Sequence, residues 1–158
     1  MIETVRDDDS IRRVEILAAT IWREHYPPII GKPQVDYMLD KFQSFAAIRE
    51  QMQQGRNYSL IVKDGVDAGY CAIDVRDEGV FISKLYILRR FRGMGLAKQC
   101  YLGICTAHPG CSISLTVNKN NDGAIKFYEK MGLKKVKEVV ADIGSGFVMD
   151  DYVMESQR

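Results

Sequence analysis

Histidine is scarce in this 158-residue chain: His25 and His108 are the only two, and they lie far apart with no ligand partners nearby. Cysteine is no richer. Cys71, Cys100, Cys105 and Cys111 form no CxxC or other metal spacing, so neither zinc nor any other metal is expected. They read instead as reduced, buried thiols of a cytoplasmic protein. No apolar run approaches the roughly 20 residues of a membrane span. "MIETVRDDDS" lacks the basic-then-apolar order of a secretory signal, so no membrane association is expected. Charge of one sign is missing too. A formal net charge of +1 gives no global field for nucleic acid or an acidic membrane, so any affinity for anions must be local.

What is present reads as one α/β domain over residues 1–158, with no repeat, linker or low-complexity segment. "IETVR" predicts a short first strand. "DDDS" places acids and a capping serine at a helix start. Ile11, Val14, Ala18, Ile21 and Trp22 then follow at helical spacing, until "YPPIIGKP" breaks the helix. Val35, Met38, Leu39 and Phe42 predict a second helix. Ser44 caps a third, which Gly55 ends. The period then changes. "YSLIVK" and "AGYCAIDV" flank Asp64–Gly65, a hairpin signal, and Val80–Leu88 adds a third antiparallel strand. A helix from Leu96, a strand "SISLTV", a helix through Ala124 and Tyr128 stopped by Gly132, and two last strands around "DIGSG" complete the chain.

The densest signal is "RRFRGMGLA", residues 89–97, between a strand and a helix start. The first turn of a helix has four unpaired N–H groups and roughly half a positive charge. Glycines at 93 and 95 let phosphate oxygens approach the backbone, and Arg90 and Arg92 add charge-assisted hydrogen bonds. Gly93 and Gly95 alone would also suit a plain turn. A P-loop needs Lys-Ser/Thr after its last glycine, where Leu96 and Ala97 stand. A dinucleotide fold wants a small residue where Lys98 stands, and an acid after the next strand, which ends at Val117–Asn118.

The remaining candidate is the GNAT N-acetyltransferase superfamily, which the chain resembles along nearly its whole length. Arg90, Gly93 and Gly95 fall on its Arg/Gln-x-x-Gly-x-Gly/Ala pattern. "LYIL" matches its bulged fourth strand, and Asn121, Ala124, Tyr128 and Gly132 match its second signature in "NKNNDGAIKFYEKMGL". The resemblance implies a mixed six- to seven-stranded sheet splayed between strands four and five and flanked by helices, with acetyl-CoA as co-substrate. It implies that Leu85, Tyr86 and Ile87 pair with pantetheine, a backbone amide at Leu85 polarising the thioester. It gives the loop Arg90, Arg92, Gly93, Met94, Gly95, Leu96 and Ala97 the pyrophosphate. Asn121 and Tyr128 then stand at the cofactor, Tyr128 as the acid that protonates the leaving thiolate. An ordinary tyrosine, of pKa about 10, would give that proton up at a cost of about 2 kcal/mol.

An amine acceptor of pKa about 10.4 is neutral only about once in 2,500 molecules at pH 7, so a base or a water chain must help. "VFISKLYIL" contains no acid, which leaves Glu24, Asp150 and Asp151 as candidates. The cysteines have no histidine base nearby, which favours direct attack by the amine. "IWREHYPPII", "VDYML" and "GFVMDDYVME" resemble a bacterial branch of small-amine or diamine acetyltransferases. Acids at Glu24, Asp36, Asp150 and Asp151, with Tyr26 and Tyr37, would suit a cationic amine. Acetylation of a protein N-terminus or lysine, and a non-catalytic acetyl-CoA sensor, are the alternatives. A monomer or homodimer is expected, with the apolar "FVMDDYVM" strand needing cover.

Overall fold

The computed structural model describes residues 1–156, and local chemistry accounts for most of its boundaries. After β1 (Ile2–Thr4), α1 (Asp8–His25) is capped by Asp7 rather than by the serine. The Asp7 carboxylate accepts from the Ser10 N–H at 2.9 Å, and Ser10 Oγ accepts from the Asp7 N–H at 3.2 Å. Ser10 is therefore the third helical residue of a capping box. The aspartate holds the cap because its full charge also meets the helix dipole. Pro27 and Pro28 follow the end of α1 and open a single turn, α2 (Pro27–Ile30), instead of a loop. Gly31, at φ +84°, redirects the chain into α3 (Lys32–Gln43). Ser44 Oγ caps α4 (Phe45–Gln53), accepting from the Ala47 N–H at 3.3 Å, and Gly55 ends the turn.

β2 (Asn57–Lys63), β3 (Val66–Arg76) and β4 (Gly79–Ile87) form the expected antiparallel meander. α5 (Leu96–Ala107), β5 (Ile113–Asn118), α6 (Asp122–Lys130), β6 (Leu133–Gly144) and β7 (Phe147–Ser156) follow. The seven strands lie in the order β1-β2-β3-β4-β5-β7-β6. β7 is thus an interior strand between β5 and β6, paired on both edges by its own chain, with Met154 buried and Val148 exposed. The edge falls on β6, whose exposed Val136 and Val140 sit among Lys134, Lys135 and Lys137, charges that discourage edge pairing.

The sheet carries a core on each face. Val14, Ile21, Ile48, Leu60 and Tyr70 fill the one under α1, α3 and α4; Leu96, Ile104, Ile113, Tyr128 and Met154 fill the one under α5 and α6. Each such side chain contributes roughly 1.5–3 kcal/mol of burial.

Only β4 and β5 run parallel, and they pair over three residues, Val80–Ile82 against Ile113–Leu115. Beyond that they diverge. β4 stays with β3 as far as Ile87↔Gly69, while β5 stays with β7 as far as Asn118↔Asp151. The cause lies in β4. Ala72 faces Lys84 and Ile73 faces Ile82, which leaves Ser83 as an extra residue in a bulge. A bulge bends and over-twists its strand. This one comes directly after the last β4–β5 pair, so the sheet opens there.

Candidate active site

The opening between β4 and β5 is a cavity of about 760 Å³, within the range of small-molecule sites. Its first wall is backbone. The Leu88 N–H donates to Ala68 O at 2.8 Å, so strand alternation turns the amides of Leu85 and Ile87 to the opposite edge, towards the cavity. The Ile87 carbonyl there accepts from Arg92 Nε at 3.2 Å. Tyr86 lies between them with its ring turned to the α1 side, 5.6 Å from Trp22.

The wall continues through the glycine loop. Gly93 (φ +81°) and Gly95 (φ +79°) are both left-handed, and a Cβ on either would meet nothing within 4 Å. The glycines are needed for the path of the chain, and the space above them is open. Gly95 caps α5 with no side chain, so the first N–H groups of the helix remain unpaired. Arg92, Gly93, Gly95, Leu96 and Ala97 line the cavity, and so does Lys98. Arg90 and Met94 are exposed and stand outside the lining, with the Arg90 guanidinium 4.9 Å from the Phe91 ring centre.

α6 supplies Tyr128, along with Phe127 and Met131, which border the cavity as well as the core. Tyr128 is buried and lines the cavity. Burial pushes this phenol well above the ordinary tyrosine value, with the nearby Cys71 thiol adding to the shift. As a proton donor it therefore costs more than an ordinary tyrosine would.

Asn121, at the head of α6, is buried and spans two elements. Its Nδ2 donates to the Tyr26 hydroxyl at 3.2 Å, and its Oδ1 is 3.0 Å from His25 Nε2. His25 Nδ1 lies 3.4 Å from Arg92 Nη1. A guanidinium can only donate, so Nδ1 accepts and Nε2 carries the proton to Asn121. His25 is a site residue that sequence reasoning missed. Its partners are 67 and 96 residues away, and no local pattern marks it.

The second wall is made of side chains from α1, α2, α3 and β7: Trp22, Tyr26, Ile30, Met38, Met149 and Asp151. Asp151 is 5% exposed and makes no hydrogen bond or ion pair among the described residues. Burial, and then the neighbouring charge of Asp150, raise its pKa to about 6, against a weaker pull from Lys119. The other acids expected here are elsewhere. Asp150 is exposed and paired with Lys119 at 2.8 Å. Glu24 is outside the lining and accepts from the Arg89 backbone N–H at 3.2 Å. Asp36 is held by Lys32 at 2.7 Å, with Arg23 at 3.9 Å. The Tyr37 hydroxyl donates to the Ile143 carbonyl at 2.5 Å. Alternation explains the difference between the two β7 acids, because successive strand residues face opposite sides of the sheet.

Lys84 was the second residue missed, although a lysine inside an apolar strand is itself a signal. It is buried. Its Nζ donates to the Phe42 carbonyl at 2.8 Å and Gln51 Oε1 at 3.1 Å, and contacts the Tyr58 hydroxyl. With no carboxylate partner, burial and then Arg56 lower its pKa to about 7. No cysteine lines the cavity. Among the described residues no three His, Cys, Asp or Glu side chains are grouped to hold a metal, and no helix is long and apolar enough to cross a membrane.

Comparison with known proteins converges on one family. The Acetyltransferase (GNAT) family profile matches residues 18–133. The fold is similar to that of PaiA N-acetyltransferase from Thermoplasma acidophilum in complex with coenzyme A. That likeness has a TM-score of 0.76 at 18% identity and covers 100% of this chain and 99% of that one. It is similar to YncA from Salmonella typhimurium with acetyl-CoA (TM-score 0.66, 14% identity, covering 99% and 92%). It is also similar to Arabidopsis thaliana Naa50 in complex with the bisubstrate analogue CoA-Ac-MVNAL (TM-score 0.64, 22% identity, covering 100% and 98%). No curated protein matches the chain by sequence.

Proposed function

Because the chain belongs to the Acetyltransferase (GNAT) family, whose members are acetyl-CoA-dependent N-acetyltransferases, we propose that residues 1–158 form one catalytic domain that acetylates a small primary amine by direct attack. One observation carries this reading. Among the described residues, Asp151 is the only acid lining the cavity, it makes no hydrogen bond or ion pair, and it shares the chamber with Tyr128.

The residues of the first wall fit the co-substrate. Free amides at Leu85 and Ile87 offer an added-strand edge to pantetheine. The left-handed glycines and the open end of α5 offer N–H groups to a pyrophosphate, and Arg92 and Lys98 add charge. Acetyl-CoA supplies the activated acetyl group. The Leu85 N–H donates to the thioester oxygen as negative charge develops on it. Asp151, ionised above about pH 6, pairs with the incoming ammonium and accepts its proton. Tyr128 stays protonated at every working pH and gives its proton to the sulfur as the bond breaks. Asn121 keeps Tyr26 and His25 in place beside Arg92. The absence of a cysteine from the lining supports direct attack over a covalent acyl-enzyme.

The bonds that tie down the second wall support a small amine over a peptide. α3 is bonded to the β6–β7 hairpin by Gln34 Nε2 to Val148 O at 2.8 Å and by Tyr37 to Ile143 O, which narrows the exit a peptide would need. The test is thiol release from acetyl-CoA with a panel of primary amines. Amine-dependent release is expected. Tight acetyl-CoA binding with no release for any amine would identify a sensor instead.

A further inference from the structure

Among the amines open to such an enzyme, we infer that the acceptor is a monocation with an apolar body, and not a diamine or polyamine. This rests on the reading above and sharpens it. The chamber beside Asp151 is walled by Trp22, Ile30, Met38 and Met149. A single carboxylate, 5% exposed and without a partner, offsets the lost hydration of one ammonium group. A second ammonium on the same molecule would have no acid to meet. Glu24, Asp36 and Asp150 are committed to Arg89, Lys32 and Lys119. The permanently charged groups that do line the cavity, Arg92, Lys98 and Lys130, are cations, and Lys84 adds a fourth basic group. A dication would therefore place its far end either against hydrocarbon or towards like charge.

Beside the chamber, α3 is also tied to the β6–β7 hairpin. Besides the bonds from Gln34 and Tyr37, Lys41 Nζ donates to the Ile143 carbonyl, so three residues of α3 hold the hairpin down. A second charge on a longer amine would have to part that seam to reach solvent on this side. An alkyl or aryl group, by contrast, gains the burial that the wall offers, roughly 25 cal/mol per Å².

The experiment compares kcat/KM for hexylamine and phenethylamine with that for 1,4-diaminobutane and spermidine, and includes a peptide with an N-terminal methionine. The same panel is run on Met149→Glu, which puts a second carboxylate on the apolar wall. A preference of at least tenfold for the monoamines, reduced at least fivefold in Met149→Glu, supports the inference. Should Met149→Glu fail to fold, the wild-type panel decides alone. Equal or better use of the diamine or spermidine overturns the inference and leaves the acetyltransferase reading standing. Acetylation of the peptide alone also overturns it, because the seam must then open. No thiol release with any of these acceptors would instead remove the small-amine reading on which the inference rests.

Discussion

The two walls of the cleft are built on opposite principles. The cofactor wall is mostly main chain: the amides of Leu85 and Ile87, two left-handed glycines and the open first turn of α5. It comes from one continuous stretch, residues 85–97. The acceptor wall is all side chain and comes from α1, α2, α3 and β7, with Trp22 and Asp151 at its two ends in sequence. A backbone wall tolerates most substitutions that keep its conformation. A side-chain wall stands or falls with single groups. On the proposed reading, the site combines a fixed cofactor seat with an acceptor chamber whose chemistry rests on one carboxylate.

The sharpest way to break that comparison is Asp151→Asn. A positioned general base is worth about 10²–10⁴, so kcat/KM should fall about 10³-fold near pH 7.5 while CoA affinity stays within twofold. In the wild type, kcat/KM should rise with pH through an inflection near 6, and the variant should lose that inflection. Stability should move the other way. The native pKa is raised from 3.8 to about 6, so the folded state holds its proton longer than the unfolded chain. Stability then falls as pH rises from about 4 to about 6, and the ionised group costs up to about 3 kcal/mol above that. Asp151→Asn should therefore melt higher than wild type at pH 7.5 and equally at pH 4. A variant that loses stability at pH 7.5 would mean that Asp151 has a partner in solution.

Tyr128→Phe comes next, with turnover lower by about 100-fold and CoA affinity nearly unchanged. Because burial holds the phenol well above its ordinary value, its loss should remove no ionisation step below about pH 10. Turnover equal to wild type would reduce Tyr128 to a packing residue.

The same contrast explains what the sequence disclosed. The cofactor wall is local, so the strand, the glycine pair and the helix start could be read as one motif, and the family resemblance implied the splay. The helices and the meander were legible from apolar period and turn residues such as Asp64–Gly65. The acceptor wall depends on which side of β7 each acid faces and on what each acid meets across the fold. Glu24, Asp36, Asp150 and Asp151 look alike in sequence. Only the pairing of the first three with Arg89, Lys32 and Lys119 leaves the fourth alone. His25 was invisible for the same reason, since its partners come from loops brought to it by the sheet. The one-turn α2 was hidden by two prolines, which mark a break and a helix start equally well.

Gly93→Asp probes the backbone wall at its weakest point. Space for a side chain exists there, but the left-handed φ of +81° disfavours any side chain, and the new carboxylate repels a pyrophosphate. Calorimetry should show CoA binding weakened about tenfold, or about 1.4 kcal/mol. Unchanged affinity in a folded variant would move the anion site away from this loop.

The smallest effect belongs to Arg90, the residue that opens the family pattern. In the structure its side chain is exposed, lies over Phe91 and takes no part in the cavity lining, whereas Arg92 lines the cavity and binds the Ile87 carbonyl. An exposed charge near a phosphate is screened beyond about 8 Å at physiological salt and contributes about 0–1 kcal/mol. Arg90→Ala should therefore weaken CoA by no more than about threefold, and that loss should vanish when salt is raised to about 0.5 M. Arg92 is exposed as well, but it lines the cavity and is held on the Ile87 carbonyl, so Arg92→Ala should cost more than Arg90→Ala. If the ranking of the two arginines were reversed, the pyrophosphate would be gripped from outside the loop by side chains. The cofactor wall would then share the single-group dependence of the acceptor wall.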